Sequence, residues 1–310
     1  MNIIGPDTLT FAVADMEQAT TYLTDYGLVP VSGDVRRFEA LDGSGIEIVA
    51  EDDSAYPNRL GTDNRLRCTT YGVADQAALD AVAAELEKDR AVTRLADGGI
   101  EVQDDLDFVL RFALTRRRAF DASMERSNVE RAVNEMGFAD DFVPVPRTLS
   151  HFALFVPDVE KVEAFYHRLG FRVTDRLGGG PFMRPAGTHE HHTLFLIKTP
   201  PHMKGMEHLA FHVSGPGEVM RAGDRFSKLG HDSFWGPGRH IMGSNWFWYF
   251  KSPLGCNVEY DADLDQVDDG WVARAMPFHP DNAQAFLFQQ RENWVPGGPP
   301  PGVAATGGAH

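Results

Sequence analysis

Cysteine is scarce in this chain: Cys68 and Cys256 are the only two in 310 residues. That excludes a disulfide scaffold and points to a reducing, cytoplasmic setting. Basic residues are also in deficit, with 29 Lys and Arg against 45 Asp and Glu, a net charge of −16. So acidic a chain repels a phosphate backbone and an anionic bilayer, so neither nucleic acid nor membrane is expected as a partner. No apolar run approaches the roughly 20 residues that span a bilayer. The opening MNIIGPDTLTFAV has neither a basic start nor a long apolar stretch, so no secretory signal is expected. What is present is an ordinary globular balance, 43% hydrophobic and 24% charged, long enough for two domains. Histidine stands out: there are twelve, concentrated after residue 150.

The chain repeats itself. Four segments begin with a short apolar strand and continue through a turn into a helical pattern. They start at Leu9 (LTFAVADMEQATTYL), Thr69 (TTYGVADQAALDAVA), His151 (HFALFVPDVEKVEAFY) and His208 (HLAFHVSGPGEVMRAG). In the third, Asp158 is an N-cap, and Val162, Phe165, Tyr166 and Leu169 follow at helical spacing. Strand-like pieces come after each helix. The expected fold is therefore α+β, four βαβββ modules paired into two domains. The expected division is an N-terminal pair over 1–135, a C-terminal pair over 148–290, and a Gly/Pro-rich flexible tail over 291–310. A linker is expected near 120–148. The aromatic-rich stretch from Val267 to Trp294 is expected to pack on the body as a cover.

Aligning the modules on their first strand puts His151 and His208 at one structural position, where the first two modules carry Thr8 and Cys68. Glu259 on the last strand of module four is a third candidate ligand, and Arg111 is its counterpart in module two. Two histidines and a carboxylate, with coordination positions left open, are the donor set of non-haem Fe(II) oxygenases. Taken singly, each histidine is more ordinarily a half-buried polar residue with a hydrogen-bond partner. The shared register is what links them. Tyr249 and Glu259 are ten residues apart across a turn-like SPLG, an arrangement that places them on neighbouring strands.

The segment GPGRHIMGSNWFWYFKSPLGCNVEYDAD resembles the motif of type I extradiol ring-cleavage dioxygenases of the vicinal oxygen chelate superfamily. The matching residues are Gly238, His240, Tyr249, Pro253, Gly255 and Glu259. Trp248 and Ser252 depart from the family's usual residues. The resemblance implies two vicinal-oxygen-chelate (glyoxalase/dioxygenase-like) domains, the first degenerate and without metal. It implies a metal held by His151, His208 and Glu259, Fe(II) with Mn(II) possible, and O₂ as co-substrate. It implies His192 in THEHH as the acid–base residue, with His191 and His189 as alternatives, and His240 and Tyr249 as catalytic and substrate contacts. Asn245 and Trp248 are further expected substrate contacts. The expected substrate is a small aromatic diol, a substituted catechol whose ring opens beside the diol. The expected assembly is a homo-oligomer.

Three other readings share parts of this pattern. A glyoxalase-like lyase or isomerase uses the same shell without O₂. A 4-hydroxyphenylpyruvate-type dioxygenase takes an α-keto acid. A non-catalytic small-molecule-binding protein needs no metal at all. Arg184 and Arg239 are isolated basic residues, so no arginine cluster marks a carboxylated substrate. Trp235, Trp246, Phe247, Trp248 and Trp271 supply aromatic material near the expected mouth of the site.

Overall fold

The computed structural model of the chain describes residues 1–120, 132–134 and 142–288. The expected tail and much of the expected linker lie outside the described residues. Four βαβββ modules are present, as the repeat predicts, and they build two sheets. The first module is β1 (Ile3–Val13), α1 (Met16–Tyr26), β2 (Val29–Val31), β3 (Asp34–Glu39) and β4 (Gly45–Ala50). The second is β5 (Leu66–Val73), α2 (Gln76–Leu86), β6 (Thr93–Arg94), β7 (Ile100–Gln103) and β8 (Val109–Leu114). The third is β9 (Thr148–Val156), α3 (Val159–Arg168), β10 (Arg172–Leu177), β11 (Gly180–Arg184) and β12 (Leu194–Lys198). The fourth is β13 (Gly205–His212), α4 (Pro216–Lys228), β14 (Ser233–His240), β15 (Trp246–Lys251) and β16 (Asn257–Ala262).

Aspartate caps start three of the helices. Asp15, Asp75 and Asp158 each accept a hydrogen bond from the backbone N–H three residues on. Each helix then turns an apolar stripe inward, such as Val159, Val162, Phe165 and Tyr166 of α3. In α4 the packing is closer. A Cβ on Gly223 would lie 2.0 Å from the Trp248 ring, so only glycine lets that indole lie flat on the helix.

The sheets have matching centres. The first runs β2-β3-β4-β1-β5-β8-β7-β6, and the second has β12-β9-β13-β16 where the first has β4-β1-β5-β8. The second sheet is longer because the cover segment adds β17 (Arg274–Met276) beside β10 at one edge. It adds β18 (Gln284–Leu287) beside β14 at the other, with the short helix α5 (Pro280–Ala283) between them. One hydrophobic core runs through both halves. Tyr26 of α1 stacks on Tyr260 of β16, ring centroids 4.1 Å apart, and its hydroxyl donates to the Glu259 carbonyl at 2.6 Å. The N-terminal half thereby holds the backbone of the strand that carries Glu259. Among the described residues, no helix is long and apolar enough to cross a membrane.

Candidate active site

Strand register brings the three candidate ligands together. Across the β9–β13 pair, Ala210 lies opposite His151 and Ala153 opposite His208. Across β13–β16, Ala210 lies opposite Glu259. Residues opposite one another share a face of the sheet, and so do residues two apart. His151, His208 and Glu259 therefore project from one face of three adjacent strands, and the methyl groups of Ala153 and Ala210 leave the space between them open. Their ligand atoms lie within 4.8 Å of one another. His151 Nε2 is 3.2 Å and His208 Nε2 3.7 Å from Glu259 Oε2.

The chemistry of this cluster fits a divalent cation. His208 Nε2 and Glu259 Oε2 are fully buried and have no hydrogen-bond partner among the described residues. Leaving such groups unpaired is costly, and a metal ion removes that cost for both. Burial alone would push the Glu259 carboxyl up, but the imidazoles of His151 and His240 outweigh it and hold the group well below the usual range. The outward nitrogens are engaged as ligand histidines require. Ser150 Oγ sits 2.9 Å from His151 Nδ1 and donates to Asp261 at 3.2 Å. His208 Nδ1 meets Glu207; burial disfavours the imidazolium, but that carboxylate overcomes it and raises the His208 pKa. Sequence reading missed Ser150, Glu207 and Asp261, although each stands within two residues of a candidate ligand.

A cavity of about 490 Å³ opens over the cluster. His192 lines it, 97% buried, its ring centroid 4.4 Å from that of His151. Burial, followed by the nearby His151, pushes the His192 imidazole well below its ordinary pKa. Tyr249, opposite Glu259 in the β15–β16 pair, also lines the cavity. His240 donates from Nδ1 to the Ala283 carbonyl at 2.8 Å, so the neutral ring offers Nε2 to the Tyr249 hydroxyl at 3.1 Å. Phe247 stacks beneath His240 at 4.0 Å. Asn245 is fully buried; its amide donates to Glu259 Oε1 at 3.3 Å and its Oδ1 is unpaired.

Trp248 must be corrected. It lies on the opposite face of β15 from Tyr249, against Gly223 of α4, and its Nε1 donates to Ser233. It is not a cavity residue, because side chains alternate along a strand. His189 faces away too, its Nδ1 bonded to the Val267 carbonyl. His191 is wholly buried behind His192. Arg184 and Arg239 pair with Asp269 and Asp263 and line no part of the cavity. Apart from Glu207, the rest of the lining is apolar: Phe155, Leu177, Phe182, Phe195 and Phe234 among others, with Trp235 and Phe278 towards the cover.

Residues 148–260 match the family model described as "Glyoxalase/Bleomycin resistance protein/Dioxygenase superfamily". Metapyrocatechase 2 of Cupriavidus necator is 36% identical over 147 residues, 47% of this chain; the match spans 44% of that relative, less than half its length. Biphenyl-2,3-diol 1,2-dioxygenase of Paraburkholderia xenovorans (strain LB400) is 27% identical over 286 residues, 88% of this chain and 92% of that one. Among solved structures, the Mn(II)-bound glyoxalase from Novosphingobium aromaticivorans superposes with a TM-score of 0.70 at 24% identity. It covers 92% of this chain and 91% of its own, a likeness of fold.

Proposed function

Since residues 148–260 match the glyoxalase and dioxygenase superfamily model, we propose that the chain is an extradiol dioxygenase of the vicinal oxygen chelate kind. It opens the ring of a substituted catechol beside the diol and incorporates both atoms of O₂. The observation that carries this reading is the convergence of His151, His208 and Glu259, two of their ligand atoms orphaned, beneath a cavity that also holds His192 and the His240–Tyr249 pair. The relatives named above act, by their names, on catechol-type diols, and the reading extends that activity to this chain.

The metal proposed is Fe(II); Mn(II) takes the same donors. When bound, it supplies Lewis acidity to two adjacent hydroxyls and a route for electrons between the ring and O₂. The protein's groups handle protons and orientation. Tyr249, its hydrogen donated to His240 Nε2, keeps oxygen lone pairs free to accept from a diol hydroxyl. His192 is kept neutral by burial and stands beside the ligand cluster as the base and later acid. The phenyl and aliphatic walls exclude bulk water.

The lining sets the substrate class. It contains no lysine or arginine, and much of its surface is aromatic. A negatively charged ring substituent would be desolvated without a cationic partner. The substrate is therefore a catechol with no anionic substituent and with an apolar one, for which 490 Å³ leaves ample room.

Oxygen uptake by the anaerobically purified, Fe(II)-loaded protein against a panel of catechols tests the reading. The expected result is one O₂ consumed per catechol with a yellow ring-opened product. Phenyl- and alkyl-substituted catechols should exceed carboxylated ones by about tenfold or more in kcat/KM. Full iron occupancy with no uptake across the panel would overturn the reading. Turnover of a substrate without O₂ consumption would replace it with a lyase or isomerase.

A further inference from the structure

We propose that Asp175 and His191 are positioning residues that fix the ring and tautomer of His192, so that Nε2, bearing a lone pair, faces the cavity. For its catalytic consequence this rests on the extradiol reading. The contacts form one line. Asp175 on β10 is fully buried, and its Oδ2 lies 3.0 Å from His191 Nε2. His191 Nδ1 lies 3.0 Å from His192 Nδ1. His191 is itself fully buried, and among the described residues its ring nitrogens have these two hydrogen-bond partners and no others.

The proton positions follow from donor counting. An ionised carboxylate only accepts, so His191 carries its proton on Nε2. The Arg274 guanidinium already balances the Asp175 carboxylate, which leaves no charge to hold a buried imidazolium, and neutral His191 has a lone pair on Nδ1. The contact between the two Nδ1 atoms needs one proton, and His192 supplies it. His192, neutral in its turn, is left with a lone pair on Nε2. Free imidazole side chains favour the opposite tautomer, so without this line the cavity would meet an N–H. Asp175 stays ionised because His191 and Arg274 outweigh its burial and hold it at about 2.

Arg274 ties this arrangement to the cover segment. It lies opposite Asp175 in the parallel β10–β17 pair; its backbone N–H donates to Oδ1 at 2.7 Å and its guanidinium reaches Oδ2. Trp271 adds a second pin, its Nε1 donating to the Thr174 carbonyl at 2.8 Å and its ring set edge-on to His191. The same segment fixes His240 through the Ala283 carbonyl. His192 and His240 therefore both depend on the cover segment for their tautomers.

Two substitutions of His191 separate positioning from packing. His191→Gln keeps a donor for Asp175 and an acceptor for His192. His191→Phe keeps a ring and loses both. In the Fe(II)-loaded enzyme His191→Phe should lower kcat by about 10–100-fold, with KM within about threefold and bound iron unchanged. His191→Gln should recover most of the loss. Long-range ¹⁵N–¹H spectra of the protein exchanged into diamagnetic Zn(II) should show His192 protonated on Nδ1 in the native protein and in His191→Gln, and on Nε2 in His191→Phe. Native kcat in His191→Phe would overturn the proposal. So would a His192 protonated on Nε2 in the native protein, whether or not any catechol is cleaved. Absence of catechol cleavage by the native protein sinks the extradiol reading alone and leaves the spectra to decide the tautomer; should His191→Phe fail to fold, His191→Gln and the native spectrum decide it.

Discussion

The two halves of this molecule use one strand register for opposite purposes. In the second, His151, His208 and Glu259 surround the small gaps left by Ala153 and Ala210. In the first, the β1–β5 and β5–β8 pairs put Thr8, Cys68 and Arg111 at those three positions and Thr10 and Thr70 in the gaps. Every donor is replaced and both alanines are enlarged. The place of Glu259 goes to a cation, which cannot ligate one. Arg111 instead pairs with Glu101, which stands opposite it on β7 as Tyr249 stands opposite Glu259. Thr10 donates to Glu47, and the region closes into ion pairs and hydrogen bonds. The fold thus provides an opening, and five side chains decide whether it is ringed by candidate metal ligands or fills itself.

The hardest way to break this comparison is to write the first half into the second. Glu259→Arg should reduce bound metal to near zero and oxygen uptake by about 10³-fold or more, read by elemental analysis and an oxygen electrode. Full metal occupancy in that variant would remove Glu259 from the ligand set. A smaller effect comes from the buried carboxylates. Glu259 is held down by histidines, whereas Asp104 in the first half has only the N–H groups of Leu106 and Phe108, and burial pushes it up to about 7. An acid whose pKa is higher folded than unfolded binds its proton more tightly in the native state. Its penalty is therefore absent below about pH 4, grows as pH rises, and is complete above about pH 7. Asp104→Asn should match the native protein near pH 4 and exceed it by on the order of 2–4 kcal/mol at pH 8 in denaturant titrations. Equal stability at both pH values would contradict that account. The smallest effect is expected at Cys68, a buried thiol pushed up to about 12 by desolvation and thus inert. Cys68→Ser should leave metal content and turnover within about twofold and cost roughly 1 kcal/mol of stability. Selective loss of metal would mean that the first half takes part in the site.

Much of this was legible because its signals are local or periodic. The repeat, the aspartate caps and the even spacing from Tyr249 to Glu259 gave the modules and the neighbouring strands of the site. The same periodicity puts Trp248 on the face away from the cavity if Tyr249 faces it, although its aromatic bulk reads equally well as cavity wall. The line from Arg274 through Asp175 to His191 was not legible. Its members are 99 residues apart where β10 meets β17, and no spacing in the sequence announces a parallel pairing made by a late cover strand. The phenylalanines of the cavity wall read equally well as ordinary core.

The cover segment also measures the molecule. Strands β17 and β18 sit at opposite edges of a ten-stranded sheet, and laid flat at ~4.8 Å per strand those edges would stand about 43 Å apart. Seven residues, 277 to 283, join Met276 to Gln284, and such a link reaches at most about 28 Å. The sheet must therefore curl until its two rims stand within about 28 Å of one another, the most this short tether can span. Phe278 and Ala283, both in the tether, stand at the cavity. The length of this one connection therefore bounds the separation of the two rims, and the same seven residues carry the Ala283 carbonyl that holds His240.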